Sequence, residues 1–193
     1  MKSIAVFCAS RKGYDQIYAK TAAEVGELLA REGYRIIYGG GRVGLMGTLA
    51  DAALAAGGEV VGVIPHFLDQ KEVAHKGLSE LIMVASMHDR KLKMSELSEA
   101  VLTLPGGFGT LEELTEMLTW SQLALHRKPI GILNVNGYYD FMENLFDGML
   151  SQGFLTPEVR KIAIFDKQVT SLLQKMNEFE PQHLSAWLDK GKT

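Results

Sequence analysis

Two pairs of charged side chains in this sequence are suited to chemistry on an anionic substrate. Glu112 and Glu113 follow a glycine-rich segment, and Arg90 and Lys91 follow the Met-His-Asp of residues 87–89. A carboxylate can act as a general base or stabilise a developing cation. Arginine and lysine attract phosphate. These residues can cooperate only if the fold brings both pairs to one place.

The glycine-rich segment at residues 105–110 reads Pro-Gly-Gly-Phe-Gly-Thr and stands between an apolar run and a helical pattern. Free amides and the positive end of a helix dipole favour an anion there, and glycine lets a phosphate come close. The segment lacks the lysine of a P-loop, so hydrolysis of nucleoside triphosphates is not indicated. Thr110 and Glu113 form either a capping box or a phosphate contact and a catalytic group, and the segment alone does not decide between the two.

Another glycine-rich stretch, the first glycine cluster at residues 39–47, comes earlier in the chain than this second glycine segment and also follows a predicted strand and precedes a predicted helix. It matches the G-x-G-x-x-G pattern of dinucleotide sites, but the next strand does not end in the acidic residue that such sites need. We therefore disfavour NAD. Two interpretations stay open: a tight strand–helix turn without ligand, or a phosphate loop formed by Gly39, Gly40, Gly41 and Gly44.

The cation pair lies where the helix dipole disfavours it. Residues 87–91 follow the predicted strand Leu81–Ala85, at the sheet edge that also carries both glycine segments. This stretch could be an ordinary solvated first helical turn. Cations in such a turn are unfavourable, so two adjacent ones indicate an anionic partner. The five histidines show no metal-ligand spacing, and we predict no metal site.

The predicted helix after the second glycine segment has two partly apolar faces. One is a core stripe, and the other mixes polar residues with Trp120 and Leu123 at helical spacing. Such a helix is expected to be covered on both sides, so the pattern predicts a subunit interface or a ligand pocket. The stripe consists of Leu111, Leu114, Leu118 and Leu125.

Alternation of apolar runs with helical patterns predicts the fold. Strands such as residues 60–64 are apolar throughout, which is typical of a parallel sheet covered on both faces. We predict one doubly wound, Rossmann-like α/β domain over residues 1–193, with its ligand beyond the carboxyl ends of the strands. The long polar connection Pro65–Glu80 is a candidate lid. Strands are predicted at Ile4–Cys8, Tyr34–Tyr38, Val60–Ile64, Leu81–Ala85, Ala100–Leu104, Ile130–Asn134 and Lys161–Phe165, and helices at Asp15–Arg31, Leu45–Ala56, Asp89–Ser98, Leu111–His126, Tyr138–Gln152 and Val169–Phe179.

Composition narrows the class of function. The 193 residues carry a net charge of −3, so phosphate neutralisation does not drive nucleic-acid binding. The single cysteine, Cys8, excludes an internal disulfide and fits a reducing compartment. No apolar run reaches membrane-spanning length. We expect a cytoplasmic protein with neither a nucleic-acid nor a membrane partner.

Three motifs in one order at compatible spacing resemble the LOG ("lonely guy") family of cytokinin-activating phosphoribohydrolases. They are the glycine cluster with Leu-Met-Gly at residues 39–47, Met-His-x-Arg-Lys at residues 87–91, and Pro-Gly-Gly-x-Gly-Thr-x-x-Glu at residues 105–113. The resemblance extends over nearly the whole chain. It implies hydrolysis of the N-glycosidic bond of adenosine 5′-monophosphate or of N6-substituted riboside 5′-monophosphates, which releases the free base and ribose 5-phosphate. It also implies that no metal or organic cofactor is needed and that the protein is a homodimer.

The resemblance assigns the catalytic roles to Arg90 and Glu113. Where the family's first loop usually reads Gly-Ser-Ser, this chain has Ala9-Ser10-Arg11. The nucleotide contacts implied by the resemblance are Glu72, Arg90, Lys91, Gly107, Phe108, Gly109, Thr110, Leu111, Glu112, Glu113 and Thr119.

Nucleoside cleavage passes through a ribosyl cation resembling an oxocarbenium ion, as glycoside hydrolysis does. Our hypothesis places Glu113 beside the anomeric carbon and Glu112 on the ribose hydroxyls. Arg90 holds its proton too tightly to act as an acid, so we expect it to orient the glutamate and to stabilise the departing purine.

Two other functions compete with this one. A nucleotide or phosphate carrier, resembling the molybdenum-cofactor carrier proteins, would use the same loops without needing Arg90 and Glu113 together. A pyridoxal-dependent decarboxylase would need a buried lysine with an acidic or arginine partner for the ring, and the sequence shows no such arrangement.

Overall fold

Seven parallel strands form one sheet with the order β4-β3-β2-β1-β5-β6-β7 in a computed structural model that describes residues 1–69 and 74–181. From β1 the chain adds β2, β3 and β4 on one side, and it then crosses back to add β5, β6 and β7 on the other side of β1. This topology confirms the predicted doubly wound α/β fold. The strands are β1 (Ser3–Phe7), β2 (Arg35–Tyr38), β3 (Val60–Pro65), β4 (Glu80–Val84), β5 (Ala100–Thr103), β6 (Ile130–Leu133) and β7 (Ala163–Asp166).

Helices cover both faces of the sheet. Apolar side chains that alternate along β1 enter two separate core clusters, Ile4 and Val6 in one and Ala5 and Phe7 in the other. Both faces of the central strands are therefore dry, as their uninterrupted apolar sequences predicted. The helices are α1 (Gln16–Arg31), α2 (Gly44–Ala55), α3 (His66–Asp69), α4 (Met87–Leu97), α5 (Phe108–Gln122), α6 (Asp140–Ser151), α7 (Pro157–Arg160) and α8 (Val169–Asn177).

Two helices begin earlier than the sequence predicted. Helix α4 begins at Met87 because Ser86 caps it, accepting a hydrogen bond from the Asp89 amide at 3.1 Å. Arg90 and Lys91 therefore follow the first three residues of the helix. Helix α5 begins at Phe108, so part of the glycine segment forms its first turn. The short helices α3 and α7 were not predicted from the sequence.

The point where strand order reverses lies between β1 and β5, and it sets the position of the ligand site. The chain leaving β1 and the chain leaving β5 run side by side there, joined by a 3.3 Å hydrogen bond from the Ala9 amide to the Pro105 carbonyl. In residues 1–69 and 74–181, no helix is both long and apolar enough to cross a membrane.

Candidate active site

A cavity of about 500 Å³ opens where the strand order reverses. Three of the predicted site elements meet in it: the start of α5, the carboxylate of Glu113 and the guanidinium of Arg90. The loop after β1 and the short helix α3 complete its walls. Its lining residues are Cys8, Ala9, Ser10, Arg11, Met46, Phe67, Leu68, Met87, Arg90, Gly107, Phe108, Gly109, Thr110 and Glu113.

The start of α5 provides an anion site. Gly107 is the N-cap residue, no side chain caps the helix, and the first bond within the helix runs from the Leu111 amide to the Gly107 carbonyl at 3.0 Å. The preceding amides, from Phe108 to Thr110, have no partner within the helix and lie at the positive end of its dipole. This end of the helix borders the cavity, as predicted.

The capping-box interpretation of Thr110 and Glu113 is wrong. Thr110 is the third residue of α5, and the capping position belongs to Gly107. Thr110 is buried against Gly106, where a Cβ atom would overlap the threonine side chain. Glu113 lies in the second turn, too far along the helix to accept from an amide before it. Both side chains line the cavity and neither caps the helix.

Two tyrosines fix the backbone of the segment between β5 and α5. The Tyr138 hydroxyl donates to the Gly106 carbonyl at 2.6 Å, and the Tyr139 hydroxyl donates to the Leu104 carbonyl at 2.8 Å. These bonds satisfy carbonyls that the turn leaves free, and they fix the backbone that leads into the anion site.

Glu113 has the ionisation behaviour of a general base that works near neutrality. Burial raises the pKa of its carboxyl to about 7, an effect that the charge of Arg90 opposes and the charge of Glu112 reinforces. A catalytic group with a pKa near the working pH is best placed to exchange protons. Glu113 is therefore the titratable side chain best suited to catalysis in the cavity.

Arg90 is buried beside the first glycine cluster. Its Nη2 donates to the carbonyl of Gly39 at 2.8 Å, and its Nη1 lies 3.8 Å from the sulfur of Met87. Its Nε is buried without a hydrogen-bond partner among the described residues. A Cβ atom on Gly39 would overlap the guanidinium. Gly39 thus makes room for the arginine.

Lys91 turns toward α5 and is not among the residues that line the cavity. Its ammonium forms a short contact with Glu112 and lies 3.0 Å from Glu116. Burial opposes the charged form of Lys91, but the two carboxylates outweigh this effect and raise the pKa of the lysine. Lys91 and Glu112 therefore bind each other beside the site.

The first glycine cluster packs against the protein itself. The amides of Leu45 and Met46, in the first turn of α2, donate to the Ala9 carbonyl at 3.0 and 3.3 Å. Gly44 has a φ of +68° and abuts the backbone of Ser10 and Arg11. These contacts favour the interpretation of a tight turn without ligand. The four predicted glycines, Gly39, Gly40, Gly41 and Gly44, do not line the cavity.

The remaining predicted contacts lie elsewhere. Leu111 belongs to the same helix but does not border the cavity. Thr119 lies about two turns beyond Leu111, in a second groove between α5, α6 and α7, and its hydroxyl donates to the Thr115 carbonyl at 2.8 Å. Glu72 falls outside the described residues.

Sequence reasoning missed most of the walls of the cavity. Phe67 and Leu68 come from the predicted lid segment, and Met46 comes from α2, just beyond the glycine cluster. The loop from Cys8 to Arg11 includes the Ala9-Ser10-Arg11 that stands where the family's first loop reads Gly-Ser-Ser, and its place after the first strand of a doubly wound fold could have marked it as a wall of the site. Cys8 is buried, as expected, and burial together with Glu113 raises the pKa of its thiol. Within the described ranges, no three His, Cys, Asp or Glu side chains group as a metal site.

Comparison with known proteins identifies the family. A family model described as "Possible lysine decarboxylase" matches residues 46–176. A probable cytokinin riboside 5′-monophosphate phosphoribohydrolase of Oryza sativa subsp. japonica is 43% identical over 180 residues, which is 93% of this chain and 81% of that protein. A cytokinin riboside 5′-monophosphate phosphoribohydrolase of Arabidopsis thaliana is 40% identical over 93% of this chain and 79% of its own length.

Solved structures share the fold. The X-ray structure of TM1055, a structural genomics target, superposes with a TM-score of 0.70 at 20% identity, covering 93% of this chain and all of that one. The molybdenum cofactor carrier protein of Chlamydomonas reinhardtii superposes with a TM-score of 0.66 at 18% identity, covering 92% and 98%. At this level of identity the likeness concerns architecture alone. The sequence matches, by contrast, cover most of the chain and confirm the predicted resemblance: the chain belongs to the LOG family, whose curated members are named cytokinin riboside 5′-monophosphate phosphoribohydrolases.

Proposed function

We propose that this protein hydrolyses the N-glycosidic bond of adenosine 5′-monophosphate and its N6-substituted forms, releasing the base and ribose 5-phosphate. One observation carries the proposal: Glu113, with a pKa of about 7, shares a cavity with Arg90 and with the free amides at the start of α5. An anion site, a carboxylate and a buried cation are the parts that cleavage of a ribosyl phosphate requires.

In the proposed reaction the phosphate binds the first turn of α5, and this holds the ribose over Glu113. As the bond between the anomeric carbon and the purine nitrogen breaks, the Glu113 carboxylate stabilises the cationic sugar. The same carboxylate accepts a proton from the attacking water, whose oxygen forms the new bond to the anomeric carbon. The electron pair of the broken bond leaves with the purine, and the proton that Glu113 took from the water is passed on to the purine, which returns the carboxylate to its starting state. The charge of Arg90 influences the ionisation of Glu113, and we assign to Arg90 the stabilisation of the departing base.

The apolar wall of the cavity suits the base. Met46, Phe67, Leu68 and Met87 lie among the lining residues, together with the polar start of α5. An adenine ring and an apolar N6 group both favour such a surface. We therefore include plain adenosine monophosphate and N6-isopentenyl adenosine monophosphate among the substrates, and the ratio of their kcat/KM values measures the preference.

The cavity does not suit pyridoxal phosphate. Among its described lining residues there is no lysine to form a Schiff base. Lys91, the buried lysine closest in sequence to the site residues, is held by Glu112 and Glu116. The description of the family model as a decarboxylase thus finds no support in the chemistry of these side chains.

We also propose that the protein is a homodimer and that it works in the cytoplasm. The second groove, of about 170 Å³, is lined by apolar residues of three helices, including Leu118, Phe146 and Met149. Leu123 and Leu125 are exposed nearby along the chain. The assignment of Leu125 to the core stripe is wrong, because α5 ends at Gln122 and Leu125 lies beyond it. A second copy would cover this surface, although it is not the face with Trp120 and Leu123 that the sequence of α5 predicted: the groove is lined by Leu118 of the predicted core stripe, and Trp120 packs against the core. The single free cysteine fits a reducing compartment.

Replacement of Glu113 by Gln tests the function. The variant keeps the shape of the side chain but removes the base, so release of adenine from adenosine monophosphate should fall by about 1,000-fold or more. Binding of adenosine monophosphate, measured by calorimetry, should stay within about threefold of the wild type. Glu116→Gln is the matched control on the same helix and should retain turnover. If the Glu113 variant released adenine as fast as the wild type, the catalytic role of Glu113 would be rejected.

A further inference from the structure

The two predicted cations, Arg90 and Lys91, do not balance the negative charge that a bound phosphate would add to the cavity. Arg90 is buried and donates to the Gly39 carbonyl, and Lys91 is held by two glutamates outside the cavity. A phosphate at the start of α5 would lie near Glu113, whose negative charge repels it. The helix amides carry only partial charge, so binding of a phosphate dianion calls for another cation.

Arg11 is the remaining cation that lines the cavity. It is exposed, and in the described part of the chain it forms no salt bridge. It stands in the loop after β1, whose Ala9 amide is hydrogen-bonded to the carbonyl of Pro105 in the segment that precedes α5. Arg11 and the first turn of α5 thus line the same cavity.

The first glycine cluster holds this loop in place. Two amides of α2 donate to the Ala9 carbonyl, and Gly44 touches the backbone of Ser10 and Arg11 so closely that a Cβ atom would overlap both. The loop is fixed on one side by this cluster and on the other by the segment that precedes α5. Arg11 therefore extends from a fixed backbone, which reduces the entropy lost when it binds an anion.

We propose that Arg11 binds the 5′-phosphate of the substrate together with the first-turn amides of α5. The inference rests on the proposed function and refines it, because it assigns the phosphate a specific ionic partner. It also gives the first glycine cluster a role in binding: the cluster positions Arg11 and does not touch the ligand. Arginine can hold a phosphate through two parallel hydrogen bonds.

Kinetics of Arg11→Ala test the assignment. Loss of a charged hydrogen bond to phosphate should raise KM for adenosine monophosphate by about 10- to 100-fold. The kcat value should change by less than about threefold, since the reacting bond is remote from the phosphate. Arg11→Lys should recover part of the loss. Any cleavage of adenosine, which has no phosphate, should be equally fast in wild type and variant.

Lys12→Ala is the matched control. Lys12 is the next residue and also a cation, but it borders a smaller adjoining cavity and not the 500 Å³ one. This variant should bind adenosine monophosphate with the affinity of the wild type. Equal KM values for the Arg11 and Lys12 variants would overturn the inference. Thermal melting of both proteins excludes an effect through the fold.

Binding of ribose 5-phosphate separates this inference from the proposed function. Calorimetry should show that the wild type binds it and that Arg11→Ala binds it about 10- to 100-fold more weakly. If the two affinities differed in this way but neither protein cleaved adenosine monophosphate, the phosphate site would be supported and the proposed hydrolase activity would be rejected. Turnover with an unchanged affinity in the variant would reject the role of Arg11 and retain the hydrolase.

Discussion

Two glycine-rich segments lie at the same edge of the sheet, and they use glycine for different purposes. At residues 39–47 a Cβ atom on Gly39, Gly44 or Gly47 would overlap other parts of the protein. At residues 105–110 both Gly107 and Gly109 are exposed, and a Cβ atom on either would meet nothing within 4 Å. The first segment needs glycine so that the chain can pack closely on itself. The second needs glycine for close packing at Gly106, against Thr110, but at Gly107 and Gly109 it leaves open space that a ligand can enter.

The first segment positions other groups of the site, whereas the second can bind the ligand itself. The first segment contacts the Arg90 guanidinium and the loop that carries Arg11, so it controls where two cations lie. The second contributes helix amides that can contact an anion directly. Substitutions in the two segments should therefore fail in different ways, and the following experiments measure that difference.

Among the substitutions in the two glycine segments, Gly39→Ala should have the largest effect, and the effect should be on catalysis. The new methyl group would take the space of the Arg90 guanidinium, which is at the end of a flexible side chain and can move away without unfolding the protein. We expect kcat/KM for adenosine monophosphate to fall by about 100-fold or more, the cost of losing a positioned electrostatic group. Circular dichroism should show an unchanged fold. Turnover close to that of the wild type would contradict the positioning role of the cluster.

Gly44→Ala should mainly reduce stability. A left-handed backbone and an overlap with the backbone of Ser10 and Arg11 should together lower the free energy of unfolding by roughly 2–4 kcal/mol. Gly57→Ala is the matched control, since Gly57 has a φ of +80° but open space around its Cβ position. It should cost only about 1 kcal/mol. Urea denaturation gives both values, and equal losses would show that packing against the loop after β1 is unimportant.

Much of the fold could be predicted because its signals are local. Apolar runs such as residues 60–64 mark buried parallel strands, and their alternation with helices limits the topology. The ends of the elements were less predictable. Helix α5 begins three residues before its apolar stripe because glycine supplies the capping position, and glycine carries no side-chain signal for a cap.

The site could be predicted in part. Arg90, Glu113 and the second glycine segment were found from their residue types, and the structure brings them together. The partner of Lys91 could not be foreseen, because its choice of Glu112 and Glu116 depends on how α4 packs beside α5. The same holds for Arg11, whose neighbours come from contacts distant in sequence.

Glu113→Gln should raise the stability of the protein in alkaline solution. A side chain that lowers stability there serves substrate binding or catalysis, whereas the glycines of the first cluster serve to position other groups. The pKa of Glu113 is about 7 in the folded protein against 4.5 ordinarily, so the folded state binds more protons than the unfolded state between these values. Stability therefore falls as pH rises from 4.5 to 7, and the deficit persists above 7. The glutamine variant lacks this deficit. At pH 8 its Tm should exceed that of the wild type by about 3 °C or more, whereas at pH 4.5 the difference should vanish.

Gly109→Ala should have the smallest effect, and it separates the two segments most clearly. Gly109 lies within the first turn of α5 with open space around it, and alanine favours a helix more than glycine does. The Tm should therefore stay constant or rise. The methyl group would enter the space through which a phosphate approaches the amides, so KM for adenosine monophosphate should rise by about tenfold. Gly148→Ala in α6, also with open space, should give the gain in stability without the change in KM. A Gly109 variant that binds substrate normally would show that the phosphate does not reach this turn, and the second segment would then be a strand–helix connection like the first.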